Sequence, residues 1–137
     1  MKIVLDTNVV VSGTFCSGIP AQILDACVAR RFELVLSPEI LDEYRVVLER
    51  FIRVKSSPDA AVILAALLEN AVVVNPSSPP VALCRDPMDE KLITCALGGG
   101  ADAIVSDDKD LLALVGRPKV AILTPKQFLS RLTAERT

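Results

Sequence analysis

Short runs of Val, Ile and Leu recur along the chain, separated by longer stretches in which apolar residues return every three or four positions. Lys2–Leu5 (KIVL), residues 33–36, 71–74, 103–106 and 120–123 are the runs of strand type. Between them, residues 20–30 read as a helix with proline near its first turn. Ser37-Pro38-Glu39 opens the clearest helix, with serine at the N-cap and proline at the first position. Its residues Ile40, Leu41, Tyr44, Val47, Leu48 and Phe51 follow the 3.6-residue period. Residues 58–70 predict a further helix, apolar almost all round, which is either buried on two sides or part of a protein interface. Residues 75–80 (NPSSPP) form a rigid polar loop. A helix then runs from Asp86-Pro87 to the glycines at 98–100, a short one covers 108–115, and Thr124-Pro125 caps a last helix through Leu132. Residues 133–137 read as a frayed tail.

No hairpin turn separates any two strands. The pattern therefore predicts an α/β fold, a three-layer sandwich with a central, mostly parallel five-stranded sheet flanked by helices. All 137 residues fit one domain, 1–137, with no internal repeat. In such folds ligands bind outside the carboxyl ends of the strands, where the strand order reverses.

Composition narrows the chemistry. The chain is 51% hydrophobic but only 4% aromatic, so the core must be aliphatic. Its apolar runs are far shorter than the ~20 residues that span a bilayer, and Met1-Lys2 leads straight into a strand rather than a leader. A soluble, cytoplasmic protein without membrane contact is the expectation. There is no histidine, and the four cysteines include no C-x-x-C pair. Zinc sites and histidine-dependent nucleophilic triads are thereby disfavoured, leaving carboxylates as the main acid–base or metal-binding groups. A net charge of −2 gives no global attraction to nucleic acid, so such binding needs a local basic patch. Arg45, Arg50, Arg53 and Lys55 are the densest basic segment and could track an RNA backbone, but read more readily as a solvated helix face.

Four acids stand out by position. Asp6 closes the first strand, either as a turn or cap residue or as a carboxylate at the active edge of the sheet. Glu43 lies at the border of the apolar arc of the 38–51 helix, one turn beyond the second strand. Asp89 falls inside the apolar arc of Met88, Leu92, Ile93 and Ala96, though Asp86 at the N-cap and an acid three residues later also fit a capping box. Asp108 follows the fourth strand in IVSDDKDLL, where Asp107 or Asp108 serves as an N-cap, yet three acids in four positions exceed what one cap requires. Two carboxylates at roughly 4 Å repel by about 4 kcal/mol at an effective dielectric near 20. A convergent cluster therefore needs protons or a cation, and all-oxygen donors select hard ions such as Mg2+ or Mn2+.

These blocks resemble a known family. LDTNVVVSG, SPEILDEYRVVL, CRDPMDEKLITCAL and AIVSDDKDLLAL are similar, in order and spacing, to the four motif blocks of a PIN domain, and ILTPKQFL to its last strand and helix. In size the chain is similar to stand-alone prokaryotic PIN proteins of the toxin kind, the VapC-type ribonucleases. The resemblance implies a Mg2+- or Mn2+-dependent ribonuclease in which a metal-activated water hydrolyses RNA, leaving a 5′-phosphate and a 3′-hydroxyl. It implies Asp6, Glu43, Asp89 and Asp108 as the catalytic and metal-binding quartet, with Thr7, Asn8, Ser106 and Asp110 auxiliary or substrate-orienting. Asp107 stands where the family commonly has glycine. A homodimer and a small antitoxin protein that blocks the site are implied as partners.

Rival readings fit less well. A haloacid-dehalogenase-like phosphatase needs an aspartate where this chain has Asn8, and a receiver domain needs paired acids after the first strand and a better lysine than Lys126. A PIN-like module that binds RNA or protein without cutting should lack one of the four acids, and none is missing.

Overall fold

The computed structural model describes residues 1–55, 59–75, 87–114 and 120–135, with the side chains of 52–55, 59, 87–89 and 135 outside that description. Five strands form one sheet: β1 (Lys2–Leu5), β2 (Glu33–Leu36), β3 (Ala71–Val73), β4 (Ala103–Val105) and β5 (Ala121–Leu123). Their order is β3-β2-β1-β4-β5 and every neighbouring pair is parallel, so the sheet is more uniform than the mostly parallel one expected. The chain steps outward from β1 to β2 to β3, then returns to β4 on the other side of β1. The strand order thus reverses between β1 and β4, which makes their carboxyl ends the natural crevice.

Burial follows from this order. Ile3, Val4 and Leu5 of β1, Leu34, Val35 and Leu36 of β2, and all of β4 are fully buried, as strands covered on both faces must be. At the edge, Val72 and Val73 of β3 are exposed. Seven helices are described: α1 (Thr7–Phe15), α2 (Ile19–Val28), α3 (Pro38–Lys55), α4 (Asp59–Glu69), α5 (Pro87–Gly98), α6 (Lys109–Leu112) and α7 (Pro125–Glu135). Helices α1 to α4 pack on one another, α7 joins them against α2, and α5 packs on β1, β2 and β4. The right-handed crossover rule puts α5 on the opposite face from α1–α4, because its connection runs the opposite way across the sheet. No single described helix is long and apolar enough to cross a membrane.

Several elements differ from the sequence pattern, among them α3, which runs to Lys55 rather than ending at Phe51. Helix α1 has no counterpart in that pattern: Val9, Val10 and Val11 carry no helical period, and their β-branched side chains favour strands slightly. Burial of Thr7 and all three valines outweighs that small preference. A Cβ on Gly13 would stand 2.7 Å from the Leu24 side chain and from the Pro20 carbonyl, so only glycine lets α1 approach α2 this closely. Helix α7 continues past Leu132 to Glu135, with Thr133 Oγ1 donating to the Leu129 carbonyl at 3.0 Å, so residues 133–135 of the expected tail are helical and 136–137 lie outside the described residues. Helix α6 is shorter than expected, ending at Leu112.

The expected caps are present where described. Ser37 Oγ accepts from Ile40 N at 3.3 Å, and Thr124 and Gln127 exchange side-chain and backbone bonds as a capping box. Helix α4 buries Ala60 and Leu67 but leaves Val62 67% exposed, which excludes burial on two sides. The loop at 76–80 and the cap residue Asp86 lie outside the described residues.

Candidate active site at the strand switch point

Asp6 is the residue immediately after β1. Its backbone N–H donates to Val105 O of β4 at 3.0 Å, which extends the sheet by one rung and fixes where its side chain starts. It occupies the N-cap position of α1, yet its carboxylate makes no cap hydrogen bond. Instead, Oδ2 accepts from the Ser106 hydroxyl at 2.6 Å. Register explains the pairing: Leu5 stands beside Val105, so the next residues along, Asp6 and Ser106, are neighbours across the switch point.

Ser106 is fully buried and works in both directions. While donating to Asp6, its oxygen accepts from Asp108 N at 3.0 Å. Asp108 in turn caps α6, its Oδ1 accepting from Asp110 N at 2.8 Å and from Leu111 N at 3.4 Å. Of the two aspartates offered as this cap, Asp108 fills the position: its Oδ1 caps α6, and its backbone N–H is bonded to the Ser106 hydroxyl that also holds Asp6. Asp107 and Asp110 are exposed, and only the backbone of Asp110 joins this network.

Glu43 arrives from the other side. It is half-buried on α3, and its Oε2 accepts from the Thr7 hydroxyl at 2.7 Å. Its border position on the helix is what allows it to reach inward to α1. Asn8 is exposed on the first turn of α1. Helix α5 begins at the same edge, since Lys91 Nζ lies 4.0 Å from Glu39 Oε2 on the first turn of α3. The backbone of Asp89 stands half a turn earlier on α5, with its side chain outside the description. The structure thus joins Asp6, Ser106 and Asp108 in one network and Thr7 with Glu43 in another, linked through the Asp6–Thr7 peptide.

Electrostatics set a tension at Asp6. Burial raises its carboxyl above the ordinary carboxylate range and Asp108 adds repulsion. The Ser106 hydroxyl opposes this, as do the backbone N–H groups of Asn8 and Thr7. A cation at this edge would favour the ionised form. Among the described residues no three acids or cysteines stand together closely enough to hold a metal ion by themselves. The donors at hand are carboxylate and hydroxyl oxygens, a set that suits a hard divalent ion retaining several waters.

Tyr44 is the residue that the sequence pattern missed. Its period placed it in the apolar arc of α3, and it is indeed fully buried, but its hydroxyl donates to the Leu5 carbonyl, next to Asp6. The one available signal was a phenol at a core position, which must find a hydrogen-bond acceptor when buried.

Three comparisons bear on this arrangement. A family model described as PIN domain matches residues 2–110. No curated protein matches the chain significantly. Among solved structures, PAE2754 from Pyrobaculum aerophilum aligns with a TM-score of 0.64 at 19% identity, covering 98% of this chain and 90% of that one. VapBC2 from Rickettsia felis, solved bound to a DNA fragment from their promoter, aligns with a TM-score of 0.62 at 14% identity, covering 90% of this chain and 98% of that one. FitAcB from Neisseria gonorrhoeae aligns with a TM-score of 0.57 at 16% identity, with the same coverage of 90% and 98%. At these identities the structural likenesses speak for the fold.

Proposed function

The chain belongs to the PIN domain family, whose members are generally nucleases, and from that premise we propose that it is a Mg2+- or Mn2+-dependent endoribonuclease. The observation that carries this reading is the Asp6–Ser106–Asp108 network across the switch point, with Glu43 tied to the adjoining Thr7. Asp6, Glu43, Asp89 and Asp108 are the proposed metal-binding and catalytic acids.

Each of this chain's residues has a distinct task. Ser106 fixes the rotation of the Asp6 carboxylate and opposes its protonation. Thr7 turns Glu43 inward from the border of α3. Asp108 is held by its own capping bonds, so it presents its carboxylate from a short, rigid turn. A divalent cation held by these acids would stabilise charge on the phosphoryl oxygens and lower the pKa of an attacking water. The new bond forms between water oxygen and phosphorus, and the bond to the 3′ oxygen breaks, leaving a 5′-phosphate and a 3′-hydroxyl. No side-chain nucleophile is required.

The likeness to VapBC2 and FitAcB supports a toxin held in check by a small antitoxin. A second copy of the chain is the other proposed partner, and the exposed Val72 and Val73 on the edge strand β3 are where it would pair. The test is cleavage of a single-stranded RNA with Mg2+, with EDTA, and by Asp89→Asn. Chelation and substitution should each abolish cleavage, and the products should carry 5′-phosphates. RNA binding without cleavage by the intact protein would instead favour a non-catalytic RNA-binding module.

A further inference from the structure

We propose that Tyr44 is a positioning residue: its hydroxyl replaces the missing β2 rung beside Leu5, and together with Glu43 it clamps the β1–α1 junction that carries Asp6. The proposal deepens the nuclease reading and rests on it for its kinetic consequence, though not for its structural one.

The strands give the reason. Pairing of β1 with β2 ends at Ile3 and Leu34, whereas β1 stays paired with β4 to Leu5 and β2 stays paired with β3 to Leu36. The two strands therefore part at their carboxyl ends, beside the crevice. Because Asp6 N–H points to Val105 of β4, the Leu5 carbonyl on the same trans peptide points the opposite way, toward the gap. Among the described residues no strand residue meets it there. A buried carbonyl without a donor is costly, and the Tyr44 hydroxyl supplies the bond.

The clamp is two consecutive residues of one helix. Glu43 holds Thr7 and Tyr44 holds Leu5, so α3 grips the chain on both sides of Asp6. Burial, with Asp6 as the next contribution, pushes the Tyr44 phenol well above its ordinary value, so it stays a donor throughout the working pH range. Tyr44 acts through the Leu5–Asp6 peptide, which orients the Asp6 carboxylate.

Tyr44→Phe keeps the ring and removes only the bond. Amide hydrogen exchange should rise about tenfold at Asp6, the change expected from losing one buried hydrogen bond, while the amides of β2 keep their protection. RNA cleavage should lose kcat about tenfold with KM changed less than about twofold. Leu48→Ala is the control: it loosens α3 without touching the hydroxyl and should weaken protection evenly. Thr7→Val cuts the other tie and should show the same local exchange pattern if Tyr44→Phe does not fold. Exchange at Asp6 that is unchanged in Tyr44→Phe, or raised evenly across the sheet, would overturn the clamp. Normal cleavage by a variant with faster Asp6 exchange would overturn its role in the reaction. Absence of cleavage by the unaltered protein would remove the nuclease reading alone, leaving the clamp to be decided by exchange.

Discussion

Replacing Ser106 by alanine removes one hydroxyl from a fully buried site and severs two bonds at once. The Asp6 carboxylate loses its donor at 2.6 Å, and Asp108 N–H loses its acceptor at 3.0 Å. A hydrogen bond to a charged group contributes about 1.5–3 kcal/mol, and a stranded buried N–H costs about 1–3 kcal/mol. The two share one atom and do not simply add, so a loss of about 2–4 kcal/mol is expected. At roughly 3–5 °C per kcal/mol for a chain of this size, Tm should fall by roughly 10 °C. The effect must also depend on pH. Burial already raises the folded-state pKa of Asp6, and Ser106 opposes that rise. Without the hydroxyl the folded protein binds the proton more tightly still, so its stability goes on falling to a higher pH before it levels off above the folded value. The difference between the two proteins should therefore be smaller in acid, where Asp6 is protonated in both and mainly the lost Asp108 N–H bond remains, and full at neutral pH. Urea unfolding across that range measures it. A difference below about 0.5 kcal/mol, or one independent of pH, would refute the network as described.

Other outcomes follow from the same geometry. Asp6→Asn should be more stable than the unaltered protein at neutral pH, because a raised carboxyl pKa means that ionisation of Asp6 costs stability as pH rises; denaturation at acid and neutral pH reads this directly. The same variant should have no nuclease activity. Gly13→Ala should cost about 1–3 kcal/mol, since its Cβ would strike the Pro20 carbonyl at 2.7 Å, and thermal unfolding checks it.

Much of this was legible in the sequence, for reasons that differ by element. The strands declared themselves because a parallel sheet buries both faces and so requires runs such as KIVL and ELVL. Helix α3 was plain from Ser37, Pro38 and its period. Helix α1 was not, because its valines carry strand preference and its stability comes from packing on α2 and α3. The acids at the strand ends could be named from position, but their bonding could not. Whether Asp6 caps α1 or bonds Ser106 depends on the β1–β4 register, which links residues 100 positions apart. Tyr44 shows the same limit: periodicity finds the buried ring, while the carbonyl it satisfies exists only because β1 and β2 part after Ile3.

The central claim is that acids at the β1–β4 switch point hold a divalent cation. Calorimetric titration of Mn2+ into the folded protein tests it most directly. Saturable binding that weakens at least about tenfold in both Asp6→Asn and Asp108→Asn, each variant remaining folded, is the predicted result. Mn2+ binding unchanged by either substitution, or no saturable binding at all, would contradict it.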